Sequence, residues 1–372
     1  MTLDLIRRAE AAATPCAAEA AALDRHGAFP EAALGRLRTG GYLAAPLPAD
    51  LGGAGLCEPE RVAALCSLLT AIGRGSLAVG RLYEGHVNAL ALALRYGSDD
   101  ARASLARDAR AGHLFGVWNT EPEPGGLVLA EDALRGAKSF ASGAGHVTRP
   151  LVTARLADGR RQMLVVPLAP GERADLSAWR AQGMRATATG RVDLTGLRAA
   201  DAAQVGAPDD YARQPFFFGG AWRFMAVQLG GIEAVVEAHR AHMRATGRGA
   251  DPHQQARLGR ALIAAESCRL LVARAAEAVA AERAGAERIV AYVNLARAAV
   301  EQAGLDVIAL AQRSVGLAGF LEDHPLERLT RDLATYLRQP APDYALTSAA
   351  AYALAEEAPL PALWDGLESE QR

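Results

Sequence analysis

His113-Leu-Phe-Gly-Val-Trp-Asn-Thr120, followed by Glu121-Pro-Glu-Pro-Gly-Gly126, is where the chain changes character. Aromatic and β-branched residues crowd the first part, and Pro and Gly fill the second. That is a strand running into a loop. Further strand patterns lie at Ala137 to Ala141, Leu151 to Arg155, Met163 to Pro167 and Arg191 to Leu194. Asp158-Gly159 sits between two of them and marks a hairpin turn. Residues 113–206 therefore read as a small antiparallel β domain.

On either side the period is helical. In residues 1–112 apolar residues recur at three and four, as in Ala64, Leu65, Leu68 and Leu69. Stop signals fall at Phe29-Pro30, Gly40-Gly41, Pro46 to Pro48 and Gly52-Gly53. Residues 207–372 return to the helical period. Phe224 to Val235 fits one long helix, and Leu258 to Leu271 a second. Ile289 to Val315 fits a third, and Leu326 to Tyr336 a fourth. The fold class is α+β: an N-terminal helical domain, a central β domain, and a C-terminal four-helix bundle. The last residues, Glu368 to Arg372, are expected to fray.

The 372 residues carry 40 basic and 42 acidic side chains, a net charge of -2. No global field draws such a chain to nucleic acid or an anionic membrane. Arg240, Arg244 and Arg248 read first as a solvated helix face. No run reaches the roughly 18 to 20 apolar residues of a membrane span, and the N-terminus has no signal-peptide core. Cys16, Cys57, Cys66 and Cys268 form no C-x-x-C pair and no zinc spacing. Cys66 and Cys268 read as core residues. A reducing, cytoplasmic setting is the expectation.

Five segments in order resemble the acyl-CoA dehydrogenase superfamily, from about Phe29 to Asp343. They are Pro48-Ala-Asp-Leu-Gly-Gly53, Thr120-Glu121-Pro122, Gly136-Ala-Lys138-Ser-Phe140-Ala-Ser142, Gly183-Met-Arg185-Ala-Thr187 and Leu329-Thr-Arg331-Asp332. The resemblance implies FAD as cofactor, a small acyl thioester as substrate, a flavin electron acceptor or reductase as partner, and a homodimer or homotetramer. It also implies cofactor contacts from Thr120, Gly125, Gly126, Phe140, Ala141, Ser142, Arg244, Arg313 and Gly316, with Arg244 reaching the FAD of a neighbouring subunit. A flavin ring needs an apolar or aromatic wall and hydrogen-bond donors. Phe140 supplies such a wall, and Thr120 and Ser142 supply hydroxyls. Several positions depart from the family pattern. Gly126 stands for a Ser, Arg313 for a Gln, Leu317 for a Gly, and the F-G after Arg244 is missing.

The largest departure concerns the base. Dehydrogenation at Cα–Cβ needs a carboxylate within reach of the α-proton. By the resemblance, the two places where the family carries its Glu hold Pro340 and either Ala221 or Trp222. Glu84, His86 and Asp343 are the substitute candidates. Three readings stay open: an acyl dehydrogenase with an atypical base, a flavin-dependent monooxygenase that needs none, and a relative that has lost catalysis or flavin.

Overall fold

The computed structural model describes residues 2–123 and 125–367, so Met1, Pro124 and the tail 368–372 lie outside the described residues. Five helices come first: α1 (Thr2–His26), α2 (Glu31–Thr39), α3 (Val62–Gly75), α4 (Leu77–Tyr96) and α5 (Asp99–Arg110). Ser76 and Ser98 start α4 and α5, their hydroxyls accepting from Val79 N–H at 3.4 Å and Ala101 N–H at 3.3 Å.

The middle of the chain holds β1 (Phe115–Trp118), β2 (Val128–Ala130), β3 (Ala133–Arg135), β4 (Ala137–Ala141) and β5 (Arg149–Arg155). After these come β6 (Arg161–Val165), β7 (Ala174–Asp175), β8 (Gly190–Asp193) and β9 (Ala203–Val205). One sheet runs β3-β2-β5-β6-β9, with β1 also on β5, and a smaller sheet runs β4-β8-β7. The β5–β6 hairpin pairs Leu151 with Val165 and Arg155 with Arg161, across the expected Asp158-Gly159 turn. The antiparallel expectation fails at two places. β1 runs parallel to β5, and so does β2 where Val128 meets Arg155. Three strands intervene between β1 and β5, so the chain returns pointing the same way.

The C-terminal part holds the single turn α6 (Phe216–Gly219), then α7 (Ala221–Ala245), α8 (Pro252–Ala281), α9 (Ala286–Val315), α10 (Pro325–Tyr336) and α11 (Pro342–Ala355). The four expected helices are α7 to α10. The sequence reading missed α11 because its inner face is made of small residues, Ala345 and Ala349, while Leu346 and Leu354 are exposed. No described helix is long and apolar enough to cross a membrane.

Glycines let α3 and α7 approach closely. A methyl on Gly73 would come 2.4 Å from the Val227 carbonyl oxygen, and one on Gly230 would come 2.2 Å from that of Thr70. Side chains with a Cβ at these points would push the N-terminal helices off the C-terminal bundle.

Two of the quoted sequence segments meet across the fold. Asp332 on α10 accepts the Met184 N–H at 2.7 Å and pairs with Arg328 at 3.0 Å. Arg331 donates to the Gln182 carbonyl at 2.6 Å and pairs with Asp24 of α1 at 2.6 Å. The Arg-Asp pair thus ties the β domain, α1 and α10 together. Asp332→Ala removes the acceptor of a buried N–H, so we expect a loss of about 2 kcal/mol. The readout is a lower urea midpoint with an unchanged slope; a midpoint equal to that of the parent chain contradicts the role.

Candidate functional site

A cavity of about 1190 Å³ opens between the β domain and the helices. That is ample for a flat tricyclic ring and a small substrate. Trp118, Thr120 and Phe140 line one side; α4 contributes Arg81, Glu84 and Asn88, and α7 contributes Ala221 to Phe224. Tyr211, Arg297 and Pro340 complete the part of the wall that bears on chemistry.

The β side is built around a buried lysine. Lys138 on β4 is wholly buried, and its ammonium donates to Glu121 at 2.9 Å. It also reaches the Asn119 carbonyl and the Thr153 hydroxyl, both at 3.4 Å. Burial pushes the Lys138 pKa down, and the Glu121 carboxylate opposes that. Glu121 in turn folds back to accept the Leu127 N–H at 3.3 Å. Gly126 leaves it room, because a methyl there would lie 2.2 Å from its carboxylate. The pair joins the loop carrying Thr120 to the strand carrying Phe140. Trp118 adds a brace, donating from its indole to the Ser142 carbonyl at 3.0 Å.

Phe140 sits at an irregularity between β4 and β8, in the left-handed region at φ 50°. Its ring is 68% exposed. A strand residue normally buries such a ring on one face; here the kink turns it into the cavity. An exposed aromatic ring beside an exposed Thr120 hydroxyl is the donor-and-wall set that a flavin ring needs, so this part of the site fits one.

The helix side is polar and tightly linked. Glu84 is almost fully buried and pairs with Arg81 at 2.6 Å. Its other oxygen accepts from the Asn88 amide, whose own oxygen accepts from Arg223 at 3.2 Å. Burial and the neighbouring Glu84 push the Tyr336 hydroxyl up, and burial pushes Tyr211 up to about 12. Both phenols stay protonated at neutral pH.

Ala221 and Pro340, which the sequence resemblance puts at the family's two base positions, both line the cavity. Neither carries an acid. Of the substitute candidates, only Glu84 reaches the cavity, and both its oxygens are engaged. His86 is buried elsewhere. Its Nε2 meets the Leu43 carbonyl at 2.8 Å, and its Nδ1 accepts the Phe115 N–H at 3.1 Å. It is a strut between α4, β1 and the Tyr42–Leu43 turn. Asp343 is exposed in the first turn of α11 and does not line the cavity. Four further carboxylates, Asp50, Glu58, Asp99 and Glu282, are exposed at its rim.

Among the implied cofactor contacts, the structure brings Thr120 and Phe140 together. Ala141 is buried in the core beside them, and the Ser142 hydroxyl accepts from Thr189 at 3.3 Å. Gly125, in the left-handed region at φ 99°, and Gly126 lie in the loop after β1 and do not line the cavity. Arg244 and Arg313 are exposed in the last turns of α7 and α9, with Gly316 just beyond Arg313. This chain alone does not join them to the cavity. Arg81, Asn88, Arg223 and Arg297 are cavity residues that sequence reasoning missed. Arg81 and Asn88 stand three before and four after Glu84, a helical spacing that was legible. Arg223 and Arg297 gave no such signal.

Burial holds His86 at about 4, against an ordinary 6.5. The folded chain resists a proton that the unfolded chain accepts below pH 6.5. Stability therefore falls as pH drops from 6.5 towards 4. Between pH 7 and pH 5 this imidazole alone should cost about 2 kcal/mol. His86→Gln keeps a donor and an acceptor but cannot titrate. Its urea-unfolding free energy should lose correspondingly less over that range; equal losses in both chains contradict the assignment.

Comparison with known proteins agrees with this architecture. The family model "Acyl-CoA dehydrogenase, N-terminal domain" matches residues 5–112, and "Acyl-CoA dehydrogenase, C-terminal domain" matches residues 214–337. No curated protein sequence matches the chain. Among solved structures, FMN-bound TdsC from Paenibacillus sp. A11-2, a dibenzothiophene monooxygenase, superposes with a TM-score of 0.84 at 18% identity. That match covers 97% of this chain and 100% of the other. A nitrososynthase from Micromonospora carbonacea var. africana gives 0.78 at 22% identity, covering 95% of each chain. A glutaryl-coenzyme A dehydrogenase in complex with glutaryl-CoA gives 0.82 at 22% identity, again covering 95% of each.

Proposed function

The chain belongs to the acyl-CoA dehydrogenase family, and we propose that within it this protein is a flavin-dependent monooxygenase rather than a dehydrogenase. One observation carries the reading: among the described residues, the cavity has no free carboxylate in its interior. Ala221 and Pro340 stand where a base would be, and Glu84 is held by Arg81 and Asn88. A dehydrogenase must draw a weakly acidic proton from carbon, and an ion-paired carboxylate that is also hydrogen-bonded is a poor acceptor for it. A reduced flavin, when bound, supplies two electrons with which dioxygen places one oxygen atom on substrate and the other in water.

The residues of the chain then have binding tasks. Thr120 offers a hydroxyl, Phe140 a wall, and Trp222 and Phe224 an apolar surface that keeps water from the substrate. Electrons come from a separate flavin reductase. The monooxygenase named among the structural neighbours supports this reading at the level of fold, and the glutaryl-CoA dehydrogenase, which matches over 95% of each chain, keeps the other reading worth testing.

For the cofactor we favour FMN over the FAD that the sequence resemblance implies. Arg313 stands where the family has a Gln near the adenine half, the F-G after Arg244 is missing, and Leu317 is 79% exposed where the family has a glycine. The exposed Leu262, Ile263 and Leu270 of α8 support a homo-oligomer. In a fluorescence titration FMN should bind more tightly than FAD. With reduced FMN from a separate reductase, substrate should raise oxygen uptake above the uncoupled background, with label from ¹⁸O₂ in the product. Anaerobic bleaching of the bound flavin by an acyl-CoA overturns the monooxygenase reading.

A further inference from the structure

The charges inside the cavity do not balance. Arg81, Arg223 and Arg297 line it, and Glu84 is the buried carboxylate among its lining residues. Arg81 takes that carboxylate at 2.6 Å. Arg223 has the Asn88 side-chain oxygen at 3.2 Å, and Arg297 has the Pro340 carbonyl. Both acceptors are neutral. Neither guanidinium has a carboxylate within ion-pair distance among the described residues. Glu301, one turn along α9 from Arg297, pairs with Arg338 at 2.6 Å. The Nε of Arg223 and the Nε of Arg297 are buried without any acceptor.

Arg297 is buried and Arg223 half-buried; a guanidinium drawn out of water without a counter-charge is costly, and an oxyanion is its natural complement. The surrounding surface is aromatic. Arg223 lies 4.9 Å from the centre of the Trp222 ring, and Arg297 lies 5.8 Å from that of Phe224. Burial lowers the pKa of both arginines, which is the signature of an under-compensated charge. Of the exposed acids at the rim, Glu282 pairs with Arg95 at 2.8 Å and Asp99 with Arg102 at 3.5 Å, and neither Asp50 nor Glu58 is within ion-pair distance of Arg223 or Arg297 among the described residues.

We infer that the substrate of this cavity is an organic anion, an apolar or aromatic body bearing a carboxylate or similar oxyanion that docks on Arg223 and Arg297. The inference rests on the reading of the cavity as the chamber shared by flavin and substrate. It deepens that reading by naming the substrate class. The same guanidiniums could instead serve the phosphate of the flavin, which is also an oxyanion, so the test separates the two sources.

The probes are benzoate and benzamide, of nearly equal shape and different charge. Binding to the flavin-free protein is followed by quenching of tryptophan fluorescence, since Trp118 and Trp222 line the cavity. Benzoate should bind at least tenfold more tightly than benzamide. Arg223→Met and Arg297→Met, each keeping an apolar stem, should each remove most of that preference. Arg223→Lys should fall between. FMN and riboflavin, which differ by the phosphate, should keep their affinities in the methionine variants. The proposal is overturned if the parent chain shows no preference for benzoate. It is equally overturned if the preference survives both methionine substitutions, or if these weaken FMN and spare riboflavin. Should a methionine variant not fold, the parent chain's preference and the Arg223→Lys value decide alone. A chain that binds no flavin but keeps the benzoate preference separates failure of the cofactor reading from failure of this one.

Discussion

The ion pair between Lys138 and Glu121 is the constraint on which the site depends. A wholly buried ammonium is costly unless it is paired and hydrogen-bonded. Lys138 meets that demand with Glu121, the Asn119 carbonyl and the Thr153 hydroxyl. Satisfying it fixes the loop after β1 against β4. Thr120 lies in that loop, between Asn119 and Glu121, and Phe140 stands two residues beyond Lys138. The pair therefore sets where the hydroxyl and the ring face the cavity. Its net effect on stability is small by comparison, because desolvation consumes much of the attraction. What it supplies is position.

A second polar group governs the opposite wall in the same way. Glu84 is held by Arg81 and Asn88, and Asn88 passes the linkage to Arg223. These contacts join α4 to the start of α7. A carboxylate so engaged orders its neighbours and has little freedom to move protons. The sequence resemblance puts the family's free carboxylate at one of two places, and the residues it aligns there, Ala221 and Pro340, line the cavity without an acid. The interior of the cavity sets the guanidiniums of Arg81, Arg223 and Arg297 against the engaged carboxylate of Glu84.

The order of helices, strands and helices was legible in the sequence because long elements carry their own period. α7 to α9 repeat apolar residues over many turns, and β5 and β6 flank an Asp-Gly turn. The short strands β2, β3, β7 and β9 have two or three residues each, too few for any alternation to show. The parallel pairing of β1 with β5 is a long-range choice that no local pattern encodes. Phe140 was found through its place in a motif, but its left-handed backbone was not, since nothing marks a phenylalanine for that conformation. Lys138 and Glu121 stood in two quoted motifs whose meeting only the fold reveals. Arg223 and Arg297 come from separate helices, and a lone arginine in a helix reads as solvated surface until its surroundings are known.

The measurement closest to the central claim is the flavin affinity of Lys138→Met, followed by fluorescence titration beside the parent chain. The account predicts a protein whose far-UV circular dichroism is unchanged and whose flavin dissociation constant has risen at least tenfold, because the wall that carries Thr120 and Phe140 has lost its anchor. An unaltered dissociation constant in a folded variant would contradict it.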